Sequence, residues 1–107
     1  MKEYEPTNHY YIDRQERERL IKNIGYGQLV KSIRIDNGDP RGATIHNLSN
    51  TGIITIIAES TNKIITKLIA RPNQVRRYYS NRNEEAPAYL IALARNHTKM
   101  GYNLVKS

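Results

Sequence analysis

The sequence predicts an α+β fold: an antiparallel β-sheet packed against an N-terminal helical region, with an added C-terminal helix. Three observations carry this. Two β-branched runs, residues 51–58 and 63–70, flank the turn Glu59-Ser60-Thr61-Asn62 and read as a hairpin. Upstream, Leu20, Ile21 and Ile24 recur at the three-four spacing of a helix face. Downstream, Glu84 and Glu85 precede Pro87, an apolar stripe of Ala86, Leu90, Leu93, Ala94 and His97 follows, and Gly101 closes the run.

In chain order, residues 1–11 look irregular, with Pro6 among mixed polarity. Asp13 can cap a helix running to about Ile24, with Arg17 bordering its apolar face and Glu18 and Lys22 paired on the outer side. Gly25-Tyr26-Gly27 stops it. Residues 28–35 fit either a helical turn through Leu29 and Ile33 or a strand through Lys31, Ile33 and Ile35. Asn37-Gly38-Asp39-Pro40 is a turn, residues 43–48 a short strand, and Asn50 with Gly52 the next reversal. In the hairpin, Ile53, Thr55 and Ile57 alternate with Ile54, Ile56 and Ala58, and Ile64, Thr66, Leu68 and Ala70 alternate with Ile65, Lys67 and Ile69. Apolar residues on both faces predict that both strands are central and covered by helix on at least one side. Pro72 ends the second strand.

The 107 residues fit one domain with a modest core: an irregular N-terminus (1–11), helix plus sheet (12–82) and a C-terminal helix (83–101). There is no cysteine, which excludes disulfides and Cys-based zinc sites and fits a reducing compartment. No stretch has membrane-spanning length, and Met-Lys-Glu-Tyr-Glu has no apolar signal core, so a soluble, unprocessed, cytoplasmic protein without a membrane partner is expected. All eight aromatics are Tyr, leaving the core to Ile and Leu and the rings to amphipathic positions.

Charge is focused. Of a net +7, six units lie between Lys63 and Arg82, where Lys63, Lys67, Arg71, Arg76, Arg77 and Arg82 meet no acidic residue; residues 1–62 are neutral. Such a segment attracts polyanions at long range, and guanidinium groups with tyrosines suit phosphates and bases. Its bland counterpart is a solvated basic edge strand. Lys67, Arg71, Arg76, Arg77, Tyr78 and Arg82 are the candidate nucleic-acid contacts, with Arg76-Arg77 as the phosphate clamp unless one pairs with Glu84 or Glu85.

His9, His46 and His97 have no metal-ligand spacing, and no phosphate loop or nucleophile elbow is present; no cofactor is expected. RNA cleavage by its own 2′-hydroxyl needs only a base, an acid and cations for the phosphorane charge. His46, Glu59, Arg71, Arg76, Arg77, Tyr78 and Tyr79 could supply them. Against this stand an exposed strand histidine at His46, a core or border histidine at His97, and a loop histidine at His9.

An N-terminal helix, an antiparallel sheet with a Thr-Gly-Ile-Ile-Thr-Ile strand, an Ile-Ile-Thr-Lys-Leu-Ile-Ala-Arg-Pro strand exit and a basic Tyr-rich tail together resemble the small ribonucleases of the barnase–EndoU–colicin–RelE superfamily. The likeness covers roughly residues 9–80. It implies metal-independent cleavage on one face of a four-stranded sheet, a toxin or mobile-element role, RNA such as tRNA or mRNA as substrate, and an acidic antitoxin or immunity protein as partner. By position it implies His46, Thr66, Arg71 and Tyr79 as catalytic residues, with Arg77 beside them, and gives a place to the His9–Arg17 region. The helix after residue 83 lies outside the common core and could cover the catalytic face. The alternatives are a non-catalytic nucleic-acid-binding module and a basic protein-interaction or inhibitor module.

Overall fold

The computed structural model describes residues 14–102. Its elements run α1 (Arg14–Ile24), β1 (Leu29–Ile35), β2 (Thr44–Ser49), β3 (Ile53–Ala58), β4 (Lys63–Ile69), α2 (Pro72–Ser80) and α3 (Ala88–Lys99). The four strands form one antiparallel sheet in the order β1-β2-β3-β4. The fold is α+β, with an N-terminal and a C-terminal helix as the sequence implies. The expected cap at Asp13 and the candidate His9 lie outside the described residues. No helix among the described residues is long and apolar enough to cross a membrane.

Register assigns the two faces, because directly opposed residues share a side. Leu48, Ile54 and Leu68 form one cross-strand row; Ile33, His46, Ile56 and Thr66 form the next. This face packs under α2 and α3: Ile33, Leu48, Ile54 and Ala70 are buried with Val75, Tyr78 and Tyr79 of α2 and Leu90 and Ala94 of α3. Among the described residues, cover on the opposite face lies at one end. There Ile53 and Ile69, paired across β3 and β4, bury Ile21 of α1, with Leu20, Ile24 and Tyr102 around them.

The ambiguous segment 28–35 is a strand because Ile33 is needed in the core beside Leu48, and no helix could deliver it in register with β2. The turn into β3 depends on Gly52, whose φ of +86° is costly for any other residue. Its carbonyl accepts the Ala70 N–H at 2.8 Å, tying the turn to the exit of β4.

Two sequence expectations need correction. Only β3 of the hairpin is central; β4 is an edge strand. After Ile69 the chain turns into a helix instead of supplying another strand, so Ile64 and Ile65 are left 55% and 51% exposed. A register shift between Ile56 and Ile57 also breaks the predicted alternation, and Ile57 pairs with Ile64. Second, the basic Tyr-rich tail is helix α2. Pro72 both ends β4 and occupies the first turn of α2, where its missing N–H costs nothing.

Candidate nucleic-acid interface

Helix α2 sorts its side chains sharply. Val75, Tyr78 and Tyr79, at i, i+3 and i+4, are buried against the sheet. Asn73, Arg76, Arg77 and Ser80 are therefore turned outward and exposed. The helix starts where the Gln74 side chain accepts the Arg71 N–H at 2.9 Å, and Arg76 donates to Asn73 at 3.1 Å. The arginine pair is thus presented by a rigid element whose other side is anchored in the core.

α3 extends the same surface. Leu90, Ala94 and His97 are buried, while Ala88, Tyr89, Ala92, Arg95, Asn96 and Lys99 face solvent. Neither α2 nor α3 contains an acidic residue. Two acids lie in the connection between them, and one of these, Glu84, is engaged by Lys31 of β1. Among the described residues, Arg76, Arg77, Arg82, Arg95 and Lys99 form no ion pair. Among the described residues, the outer surface of the helix layer is accordingly strongly cationic, with Glu85 the exposed carboxylate beside Arg76 and Arg95.

The other side of the sheet differs. Arg34 lies 2.7 Å from Glu59 and 3.6 Å from Asp36, and this company holds the Glu59 carboxyl below its ordinary range through a hydrogen bond and charge attraction. Arg41 pairs with Asp39 at 3.0 Å, pulling the Asp39 pKa down to about 2 by hydrogen bonding. Lys67 projects from β4 on this side. Its ammonium lies over the Tyr26 ring, 4.9 Å from the centroid, and donates to the Tyr26 hydroxyl at 2.6 Å.

Under α2, His46 is half-buried and held at both ring nitrogens. Nδ1 lies 2.7 Å from the Tyr78 hydroxyl and Nε2 lies 3.0 Å from the Thr44 hydroxyl. Either hydroxyl can donate or accept, so the neutral ring is satisfied in both tautomers. Burial lowers the His46 pKa and raises that of Tyr78, whose shift is opposed by the nearby Arg77 charge. The pair is neutral at neutral pH. Thr66 stands in the same cross-strand row, with Ile56 between, and accepts from Arg17 of α1 at 3.5 Å.

The candidate residues therefore separate into distinct groups. Arg76, Arg77 and Arg82 share the outer helix surface. Arg71 stands at the entrance to α2. His46, Tyr78 and Thr66 belong to one helix-covered sheet region. Lys67 lies across the sheet from the arginines. Tyr78 and Tyr79 are 4% and 8% exposed, so the expected stacking of a base on Tyr78 is corrected: their rings are core. Tyr79 packs with Lys31, whose ammonium lies 5.0 Å from its ring centroid, and takes no part in the hydrogen bonds of His46. Among the described residues, the ring available on the cationic surface is Tyr89, 54% exposed. Sequence reasoning missed it, along with Arg95 and Lys99. An acid-free amphipathic helix with its bases outside the apolar stripe was the available signal. Comparisons with known protein families, with curated proteins and with solved structures found no match for this chain.

Proposed function

We propose that this protein binds RNA through the outer surface of α2 and α3. The observation that carries it is the concentration of cations on one acid-free helix surface: neither α2 nor α3 contains an acidic residue, and Arg76, Arg77, Arg82, Arg95 and Lys99 form no ion pair among the described residues. Phosphate neutralisation needs such free cations, and arginine suits it through its planar fork of donors. Asn73, Ser80 and Asn96 add polar groups, and exposed Tyr89 adds a stacking ring. A duplex and a single strand of equal length, titrated at two salt concentrations, test the proposal. Arg76→Ala with Arg77→Ala should weaken binding and flatten the log–log salt slope by about one to two units. Unchanged affinity and slope in the double variant would remove the helix surface from the interface. Salt-sensitive capture of an acidic protein, such as an antitoxin or immunity protein, with no RNA binding, would favour the interaction-module reading.

A second reading, metal-independent RNA cleavage, is favoured by one observation: the 2.7 Å contact between His46 and Tyr78, with Thr66 in the same row. A neutral imidazole can take the 2′-hydroxyl proton, and a tyrosine can return one to the leaving oxygen, only once α2 lifts from the sheet, because Tyr78 is buried and both His46 ring nitrogens are already hydrogen-bonded. Cleavage by this route should persist in EDTA, leave a cyclic phosphate or 3′-phosphate, and stop at a 2′-deoxy site. His46→Ala should lower it by about 10²-fold or more. Intact RNA after long incubation with the wild-type protein, with binding retained, would sink the cleavage reading and leave the binding module.

A further inference from the structure

The outer faces of α2 and α3 are separated by an open groove of about 440 Å³. Pockets for small ligands begin near this size, at about 300 Å³. The groove's apolar lining is Ala86, Ala88, Ile91 and Ala92, three of them alanines. Ala88 and Ala92 are both exposed, one turn apart, at positions where a solvated helix ordinarily carries long polar chains. Their small size leaves a flat hollow rather than a ridge. Arg76 of α2 and Arg95 of α3 also line the groove, as does Glu85, the one carboxylate there.

We infer that this groove holds one unpaired nucleotide of a bound RNA strand, an inference that rests on the RNA-binding reading above. The base lies on the Ala88–Ile91–Ala92 floor, which excludes water from one of its faces. Its flanking phosphodiester lies against the two guanidinium groups. Glu85 accepts an N–H from the edge of the base. Two guanidinium groups against one carboxylate leave a single positive charge, matching the single negative charge of a phosphodiester. A base inside a duplex is stacked on both faces and cannot enter, so the groove discriminates for unpaired RNA.

Two variants and one small probe test this. Ala92→Gln fills the hollow without changing charge or adding a stacking ring, at an exposed position. Arg95→Ala removes one guanidinium and leaves the hollow open. Affinity for an unpaired oligoribonucleotide and for an RNA duplex is measured by fluorescence anisotropy at two salt concentrations. Binding of AMP is followed through the backbone amide resonances of Ala88, Ile91 and Ala92. Ala92→Gln should lower affinity for the unpaired strand about tenfold, the scale of losing one base's apolar contact, and leave duplex binding and the salt slope unchanged. Arg95→Ala should weaken both and flatten the slope by about one unit. AMP should shift the groove amides of the wild-type protein. If Ala92→Gln binds the unpaired strand like wild type, the groove is empty in the complex and the inference fails, while RNA binding by the arginines stands. If wild type binds no RNA but AMP moves the groove amides, the RNA reading falls and the groove survives as a site for free nucleotide. If neither ligand binds, both are overturned.

Discussion

At the residue scale, His97 does more than complete the helix stripe that predicts it. It is 5% exposed, and its Nδ1 is buried with no hydrogen-bond partner among the described residues. The ring sits beside Gly52, where an added Cβ would meet it at 3.5 Å, and lies 5.6 Å from the Tyr102 ring. Burial lowers its pKa from the ordinary 6.5, as it does for His46. The folded state thus favours the neutral ring, and the unfolded chain binds the proton more readily. The stabilisation is full above the unfolded pKa and is lost as pH falls below about 6.5 toward the folded value. Thermal melts of the wild type should therefore drop in Tm between neutral pH and pH 5. His97→Leu should flatten that drop, since it removes the proton site and the orphaned nitrogen together. Parallel pH profiles for the two proteins would show that His97 contributes nothing to acid lability.

At the element scale, the strands divide by how much surface they bury, and the hairpin separates the extremes. Ile54 in central β3 is fully buried, whereas Ile64 in edge strand β4 is half exposed. Ile54→Ala should cost about 2–5 kcal/mol, the range for an emptied core site, and Ile64→Ala about 0.5 kcal/mol or less. Denaturant melts decide it; equal losses would mean that β4 is covered in solution. The hairpin and α3 were legible because their apolar spacing repeats over a full strand or over two or more turns, and α1 because Asp13 and Gly25-Tyr26-Gly27 bracket Leu20, Ile21 and Ile24. The edge position of β4 was not, since alternation reports local faces and says nothing of whether a fifth strand follows. Helix α2 was missed for a different reason. Its apolar contacts, Val75, Tyr78 and Tyr79, span little more than one turn, and Pro72 reads first as a stop. The same ambiguity hid the site. Once residues 72–80 are helical, the tyrosines turn inward and the arginines outward, so the basic segment was recognised while its geometry was not.

At the scale of the whole molecule, charge and covering are distributed together. The helix layer that seals one face of the sheet also carries Arg76, Arg77, Arg82, Arg95 and Lys99, which form no ion pair among the described residues, whereas Lys67 projects from the opposite face. Lys67→Ala should therefore change RNA affinity far less than the Arg76–Arg77 double substitution in the same titration; an equal loss would mean that the strand wraps the β4 edge. The small cluster on that opposite face has its own consequence. Ile21 of α1 rests on Ile53 and Ile69, and Tyr102 completes its surroundings. During translation α1 is made before any of these partners, and an isolated helix of its length is marginal in water. It must wait while four strands and two helices are synthesised, and its final neighbour arrives about eighty residues later along the chain. The first described element to be made is thus the last to acquire its native environment, and the two ends of the described chain close on each other.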